Sequence, residues 1–331
     1  MRYRKLGTSG LQVSAVSLGS WTTYGKQVGE DVAAACVAEA LDAGVNLFDT
    51  AEGYADGEAE RILGRVLTKL GTRRDRLVIS TKVYNGGEGP NQRGLSRKHV
   101  IEGLNGSLRR LGLAYVDILF CHQADFATPV EETVRAMDTL VRQGKVLYWG
   151  TSCWPPERLA AAFRIARDLG AAPPTVEQPP YNLLQRTRVE QQLTPFCEAR
   201  GLGLTCYSPL AGGLLTGKYT GGKVPENSRG GFRGAAWERR NLSGERGAAR
   251  LQAIDALAAL AGDLGATTAQ LAIAWCLSHP YVSSVITGAS RAGQISETAT
   301  ASALAERVTG EVKVAVERLF GGLDDGPDKV G

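Results

Sequence analysis

Four polar residues in this sequence have the types and spacing to move a proton onto a carbonyl oxygen. Asp49 closes the run VNLFD, Tyr54 follows five residues on, Lys82 follows LVIST, and His122 follows DILFC. A tyrosine hydroxyl has a free pKa of about 10, too high for a ready acid or base near neutrality. An adjacent ammonium would bring that value down, and a carboxylate paired with the lysine would keep it charged and fixed. Lys82 is therefore expected to tune Tyr54, and Asp49 to hold Lys82. A neutral His122 would donate a hydrogen bond to a carbonyl oxygen and steady the alkoxide that develops. Each residue alone has a plainer reading: turn chemistry for Asp49, a rim cation for Lys82, a satisfied core histidine for His122 and a surface ring for Tyr54. What favours chemistry is that Asp49, Lys82 and His122 all sit just past the apolar core of consecutive strand-like runs.

Those runs belong to a set of eight: SAVSLG, VNLF, LVIS, VDILF, VLYWG, TVEQ, LGLTCY and SSVIT. Helical periodicity separates them, most clearly in SRKHVIEGLNGSLRRL (96–111), with Ser96 as N-cap, and in PVEETVRAMDTLVRQG, with an early proline, early acids and a terminal glycine. Strand exits near Asp49, Lys82, His122, Gly150, Gln178 and Tyr207 fall roughly 30–40 residues apart, the length of one β-loop-α unit. The expected class is α/β, a parallel (β/α)8 TIM barrel, in which all strand C-terminal ends converge on one face. YRKLGTSGLQVS reads as an N-terminal hairpin over the barrel bottom. The Gly-rich stretch from Ser208 to about Glu245 reads as a long functional loop after the seventh strand. A further helix is expected over 305–320, within a single domain spanning 1–320, and 321–331 is expected to be a flexible tail.

Composition narrows the function classes. The chain has 331 residues, 43% apolar and 22% charged, and its net charge of +4 is spread along the sequence, which argues against nucleic acid. MRYRKLGTSGL has no apolar targeting core, and no apolar run reaches the roughly 18 residues of a spanning helix, so a cytoplasmic chain with no direct membrane insertion is expected. Six cysteines without a C-x-x-C pair, and only three histidines, point to reduced thiols and no metal.

A hydride must come from a cofactor, and no Rossmann G-x-G-x-x-G opens a helix after a strand. GGLLTGKY approaches a phosphate loop but has Tyr219 where a magnesium-binding Ser or Thr should stand, which excludes ATP on that motif. Barrels grip phosphates with the loops after strands seven and eight and a helix N-terminus. TGASRAGQ offers such a loop, with Gly288 for close approach and Ser290 and Arg291 suited to an extra phosphate such as the 2′-phosphate of NADP.

The segments NLFDTAEGY, GLSRKHVIEGLNGSLRRLGLAYVDI, TPVEETVRAMDTLVRQGKVLYWGTS, YSPLAGGLLTGKY and QLAIAWCL…VSSVITGAS together resemble the aldo-keto reductases, in the branch containing voltage-gated potassium channel β subunits and their bacterial relatives. The resemblance runs from about Tyr3 to Phe320. It implies a barrel that binds NADPH/NADP+ across its C-terminal face and transfers the 4-pro-R hydride to an aldehyde or ketone. The family's catalytic tetrad falls on Asp49, Tyr54, Lys82 and His122. Ser20 and Trp21 would line the nicotinamide end, Ser152 and Gln178 would bond its carboxamide, and Tyr207 would stack on the ring. Ser208, Leu210 and Lys218 would meet the pyrophosphate, and Arg229, Ser290, Arg291, Gln294 and Glu297 the adenosine end. Trp21, Trp154, Tyr181, Phe126 and Trp237 suggest an apolar or aromatic carbonyl substrate. By analogy with the branch the chain would form a homo-oligomer, a tetramer. Channel subunits commonly carry Asn where this chain has His122, which favours a working reductase over the alternative, an NADP(H)-binding regulatory subunit with little turnover. Cys153 also departs from the branch, where TSRW is usual, and removes one cofactor contact.

Overall fold

Eight short apolar strands close into a parallel barrel in the computed structural model, which describes residues 1–21, 23–222, 225 and 241–326. They are β3 (Val16–Gly19), β4 (Leu47–Asp49), β5 (Val78–Val83), β6 (Val116–Cys121), β7 (Val146–Ser152), β8 (Val176–Gln178), β9 (Gly203–Cys206) and β10 (Val282–Thr287). Each pairs in parallel with the next, and β10 returns to β3 to complete the ring. These are the eight runs picked out in the sequence. They were legible because barrel strands are covered on both faces and so read as continuous apolar stretches. Every residue of β5, β6 and β10 is buried.

Helices follow the strands, and their caps set where each begins and ends. The helix Arg97–Leu111 begins where the Ser96 hydroxyl accepts the His99 amide (3.2 Å) and ends on left-handed Gly112. The helix Val130–Arg142 has Glu131 and Glu132 in its first turn and Arg142 in its last, matching both ends of the helix dipole. No single helix among the described residues is long and apolar enough to cross a membrane.

The bottom of the barrel is plugged by the expected hairpin, β1 (Tyr3–Lys5) paired antiparallel with β2 (Gln12–Ser14). Leu6 and Val13 descend into the interior against Leu47, Val78, Ile118, Phe120 and Val176. The hairpin is stitched to strand starts: the Ser14 amide donates to Asn46 Oδ1 (2.7 Å), and Arg4 Nη1 donates to the Leu277 and Val282 carbonyls (2.7 and 2.8 Å). The seam between first and last barrel strands is polar: Ser284 Oγ donates to the carbonyl of Ser14, at the end of β2 (2.7 Å), and lies 3.0 Å from Ser17 Oγ of β3. Packing between strands is tight at Gly150, where a Cβ would lie 2.3 Å from the Val176 carbonyl oxygen.

Two expectations change at the C-terminal end. The helix foreseen over 305–320 is broken: a 3-10 turn (Ala305–Arg307) stops at Val308, and a separate helix runs Gly310–Phe320 from an extended Thr309. The tail foreseen as flexible from 321 is tied down through 325. Asp324 accepts from the Arg186 and Thr187 amides (2.9 and 3.1 Å), and the Asp325 amide donates to the Leu184 carbonyl (2.8 Å). Buried Arg250 pairs with Asp325 and donates to the Leu323 carbonyl (3.0 Å).

Candidate active site at the strand C-terminal ends

The end of β4 places Asp49 against Lys82 of β5. The Lys82 ammonium is fully buried and donates to Asp49 Oδ2 (2.5 Å) and to the Thr50 carbonyl (2.8 Å). The other carboxylate oxygen accepts from Ser80 Oγ (2.6 Å) and Gln178 Nε2 (3.2 Å). A buried ion pair is stable only when its remaining lone pairs and protons are satisfied, and this one is held from three strands. Burial pulls the Lys82 pKa down, but Asp49 and then Tyr54 outweigh it and leave the pKa above the usual lysine value.

Tyr54 is brought over this pair by a strained turn. It is followed by Ala55 (φ 49°), Asp56 (φ 53°) and Gly57 (φ 83°), three left-handed residues in a row. The Lys82 nitrogen lies 4.9 Å from the Tyr54 ring centroid, and the His122 ring meets Tyr54 edge-on at 5.6 Å. All four tetrad positions are therefore neighbours. One expectation is corrected: the Tyr54 hydroxyl pKa lies above its ordinary value, because burial outweighs the opposing Lys82 charge. His122 is pulled down to about 3, first by burial and then by the Lys82 ammonium, so it is neutral at physiological pH. Its Nδ1 is buried and has no hydrogen-bond partner among the described residues.

Backbone strain marks the same face. The non-glycine residues with positive φ among the described residues are Ala55, Asp56, Cys153, Ser208 and Ala211. All lie in loops leaving β4, β7 or β9 at their C-terminal ends. Each costs about 1–2 kcal/mol relative to an unstrained residue, and such outliers gather at functional sites.

The positions expected to hold a cofactor ring this mouth. Ser20, just past β3, donates from Oγ to Thr50 Oγ1 (2.9 Å), and Trp21 beside it is 47% exposed. Ser152 at the end of β7 donates to the Gln178 carbonyl (2.9 Å). Tyr207 follows β9, with its hydroxyl 3.5 Å from Cys153 Sγ. After it, Ser208, Ala211, Gly212 and Gly213 all take left-handed conformations, a curled backbone of the kind that cradles anions with successive N–H groups. Leu210 packs against the core, and exposed Lys218 lies over Gly213. GGLLTGKY is thus not a phosphate loop between strand and helix but a set of 3-10 turns.

Past β10, Gly288 is exposed, and a Cβ there would meet nothing nearer than Thr23 Cγ2 at 3.9 Å. Among the described residues, no contact requires glycine at that point. Ser290 donates from its amide and hydroxyl to Gln294 Oε1 (2.8 and 3.3 Å), and Arg291 is exposed. Glu297 accepts from the Thr267 hydroxyl (2.8 Å), so its carboxylate also braces the start of the helix Thr268–Leu277. Arg229 and Trp237 lie outside the described residues. With open space at Gly288, a curled backbone after β9 and exposed cations on either side, the residues present fit a phosphate-bearing dinucleotide.

The aromatic lining needs revision. Trp154 is fully buried, with its indole N–H donating to the Gln123 carbonyl (3.1 Å). Tyr181 is buried between Trp275 and His279, at ring separations of 5.0 and 5.7 Å. Neither is exposed to solvent, whereas Trp21 and Phe126, 47% and 69% exposed, follow the C-terminal ends of β3 and β6. Sequence reasoning also missed Ser80 and the buried Glu177–Arg188 pair. Glu177 accepts from the Trp154 amide (3.1 Å) and Arg188 (3.2 Å), and so fixes the turn that carries Ser152 and Cys153. Glu177 does lie inside the strand-like run TVEQ, which was the available signal.

Residues 15–315 match the sequence profile of the aldo/keto reductase family. A rice protein (Oryza sativa subsp. japonica) described as "probable voltage-gated potassium channel subunit beta" is 48% identical over 320 residues, 96% of either chain. An Arabidopsis thaliana protein of the same description is 48% identical over 298 residues, 90% of either chain.

Proposed function

Because the chain belongs to the aldo/keto reductase family, we propose that it is an NADP(H)-dependent oxidoreductase that reduces aldehydes or ketones to alcohols, with Tyr54 as the proton donor. The observation that carries this reading is the buried Asp49–Lys82 pair beneath the Tyr54 ring, with neutral His122 at its side. Bound NADPH would supply the hydride to the carbonyl carbon. Ser20, Trp21, Ser152, Gln178 and Tyr207 would hold its nicotinamide end, Ser208, Leu210 and Lys218 its pyrophosphate, and Gly288, Ser290, Arg291, Gln294 and Glu297, with Arg229, its adenosine end.

The protein's own part is proton delivery and charge stabilisation. Burial keeps the Tyr54 phenol protonated until it is needed, which suits a general acid. As the carbonyl oxygen gains negative charge, it takes the Tyr54 proton and the alcohol is complete. Lys82, locked charged by Asp49, then stabilises the phenolate left behind until solvent restores its proton. His122, unable to ionise near neutrality, offers one N–H to the carbonyl oxygen and does not compete as an acid. Trp21 and Phe126 favour a small carbonyl compound with an apolar or aromatic body.

A second reading follows from the plant relatives described as channel subunits: an NADP(H)-binding regulatory subunit, tetrameric and with little turnover. NADPH oxidation, followed by absorbance against a panel of aromatic and dicarbonyl aldehydes, separates the two. On the first reading the wild type turns over and Tyr54→Phe loses at least about 100-fold in kcat. Tight NADPH binding with no turnover across the panel would transfer the assignment to the regulatory subunit.

A further inference from the structure

Behind the tetrad lies a second buried acid–base pair that the mechanism above does not use. Glu52 and His99 are both buried, and Glu52 Oε1 meets His99 Nε2 at 2.9 Å. The same oxygen accepts the Tyr84 amide at 2.7 Å. Glu52 stands two residues before Tyr54, and Tyr84 two residues after Lys82. A backbone bond repeats the link, from the Glu52 amide to the Lys82 carbonyl (3.1 Å). The carboxylate therefore joins the loop carrying the proton donor to the strand carrying the ammonium.

The surroundings are shaped to admit it. A Cβ at Gly103 would lie 2.6 Å from Glu52 Oε2, and one at Gly86 would lie 3.1 Å from that oxygen and 2.8 Å from His99 Cε1. Gly103 falls in the middle of the helix Arg97–Leu111, where glycine is unfavourable unless space demands it. Gly53, beside Glu52, would place a Cβ 2.6 Å from the Asn85 carbonyl oxygen. Three glycines thus keep room for one side chain and its loop. On the far side of Tyr54 stands the left-handed run from Ala55 to Gly57, which needs an external restraint to persist.

We propose that Glu52, backed by His99, is a positioning residue that sets the distance between the Tyr54 hydroxyl and the Lys82 ammonium by clamping the strained tyrosine turn to the exit of β5. This deepens the reductase reading and rests on it. Glu52 touches no substrate and transfers no proton. It acts through Tyr54, so its removal should slow the proton-transfer step without weakening cofactor or substrate binding.

The test uses the full chain and three variants. Glu52→Ala removes the clamp, and Glu52→Gln keeps an acceptor for the Tyr84 amide. Gly103→Ala pushes a methyl group toward the carboxylate from a helix where alanine is otherwise preferred. Steady-state kinetics with NADPH and a panel aldehyde are run beside NADPH titration by protein fluorescence, with folding checked by circular dichroism. A second readout needs no turnover: 3-fluorotyrosine labelling and 19F NMR, with the Tyr54 line assigned through Tyr54→Phe and titrated in each variant. The expected result for Glu52→Ala and Gly103→Ala is a fall in kcat of about 10-fold or more with KM and NADPH Kd within about 2-fold, a Tyr54 pKa displaced upward, and substantial recovery in Glu52→Gln. Folded variants with unchanged kcat and an unchanged Tyr54 titration would overturn the proposal. If the wild type itself turns over nothing, the reductase reading fails, and the 19F titration alone still decides for or against the clamp.

Discussion

Replacing Asp49 by asparagine tests the buried pair most sharply. At 2.5 Å and an effective dielectric constant of about 20, the Lys82–Asp49 attraction is about 7 kcal/mol before desolvation. Burying two ions costs several kcal/mol each, so the pair as a whole contributes little net stability. Removing one member is another matter. One carboxylate oxygen already accepts from Ser80 and Gln178 and the other from Lys82, so a carboxamide in that place turns its N–H₂ toward a donor in either orientation. Asp49→Asn should therefore cost about 3–5 kcal/mol, whereas the double replacement Asp49→Leu, Lys82→Met should cost less than either single change. Urea unfolding followed by circular dichroism measures Asp49→Asn, the single changes Asp49→Leu and Lys82→Met, and their combination. The pH dependence adds a second signature. In the wild type, the raised Lys82 pKa means that its stabilisation is complete below about 10.5 and lost only as pH rises through the folded value. Without Asp49, burial is the largest influence left on Lys82 and is opposed only by Tyr54; the pKa should fall, the unfolded chain should bind the proton more readily, and stability should rise with pH as Lys82 titrates. Additive single and double effects, or a single change costing under about 1 kcal/mol, would refute the argument.

Three further outcomes are expected. His122 is neutral in the fold down to about 3, against 6.5 when unfolded, so the stability it contributes is present above 6.5 and lost as pH falls toward 3; acid unfolding of His122→Gln should show a shallower fall across that window. Gly150→Ala forces a methyl group to within 2.3 Å of the Val176 carbonyl oxygen and should destabilise the barrel by at least about 2 kcal/mol, read from thermal or denaturant unfolding. Truncation after Phe320 removes the Asp325 carboxylate from nearly fully buried Arg250 and should cost about 3 kcal/mol by the same measurement.

Much of the fold was legible because the barrel strands are short, largely apolar runs, and because Asp49, Lys82 and His122 stand at or just past the C-terminal ends of three of them. The strain at Ala55 and Asp56 was not, because ordinary residues carry no mark of a left-handed backbone until their neighbours force it. Trp154 and Tyr181 were assigned to the mouth from ring chemistry alone, yet a loop aromatic can turn inward as readily as outward, and both do. The direction of the Tyr54 shift was also beyond the sequence. It depends on how far burial exceeds one nearby charge, and that balance is set by packing. Glu52 left a faint trace, a glycine in mid-helix at Gly103 whose reason appears only when the carboxylate is seen against it.

The polar seam between β3 and β10 also governs how the chain can be made. Ser17 meets the carbonyl of Val285, 268 positions later, and Arg4 needs the carbonyls of Leu277 and Val282. On a ribosome adding about 5–20 residues per second, that separation is on the order of 15–50 s of synthesis. Throughout it β3 has an unpaired edge and Leu6 and Val13 have no finished interior to enter. Ring closure is therefore a late, non-local event in folding. The nascent N-terminal half is therefore the stage at which apolar surface and an unpaired strand edge are most open to association with other chains.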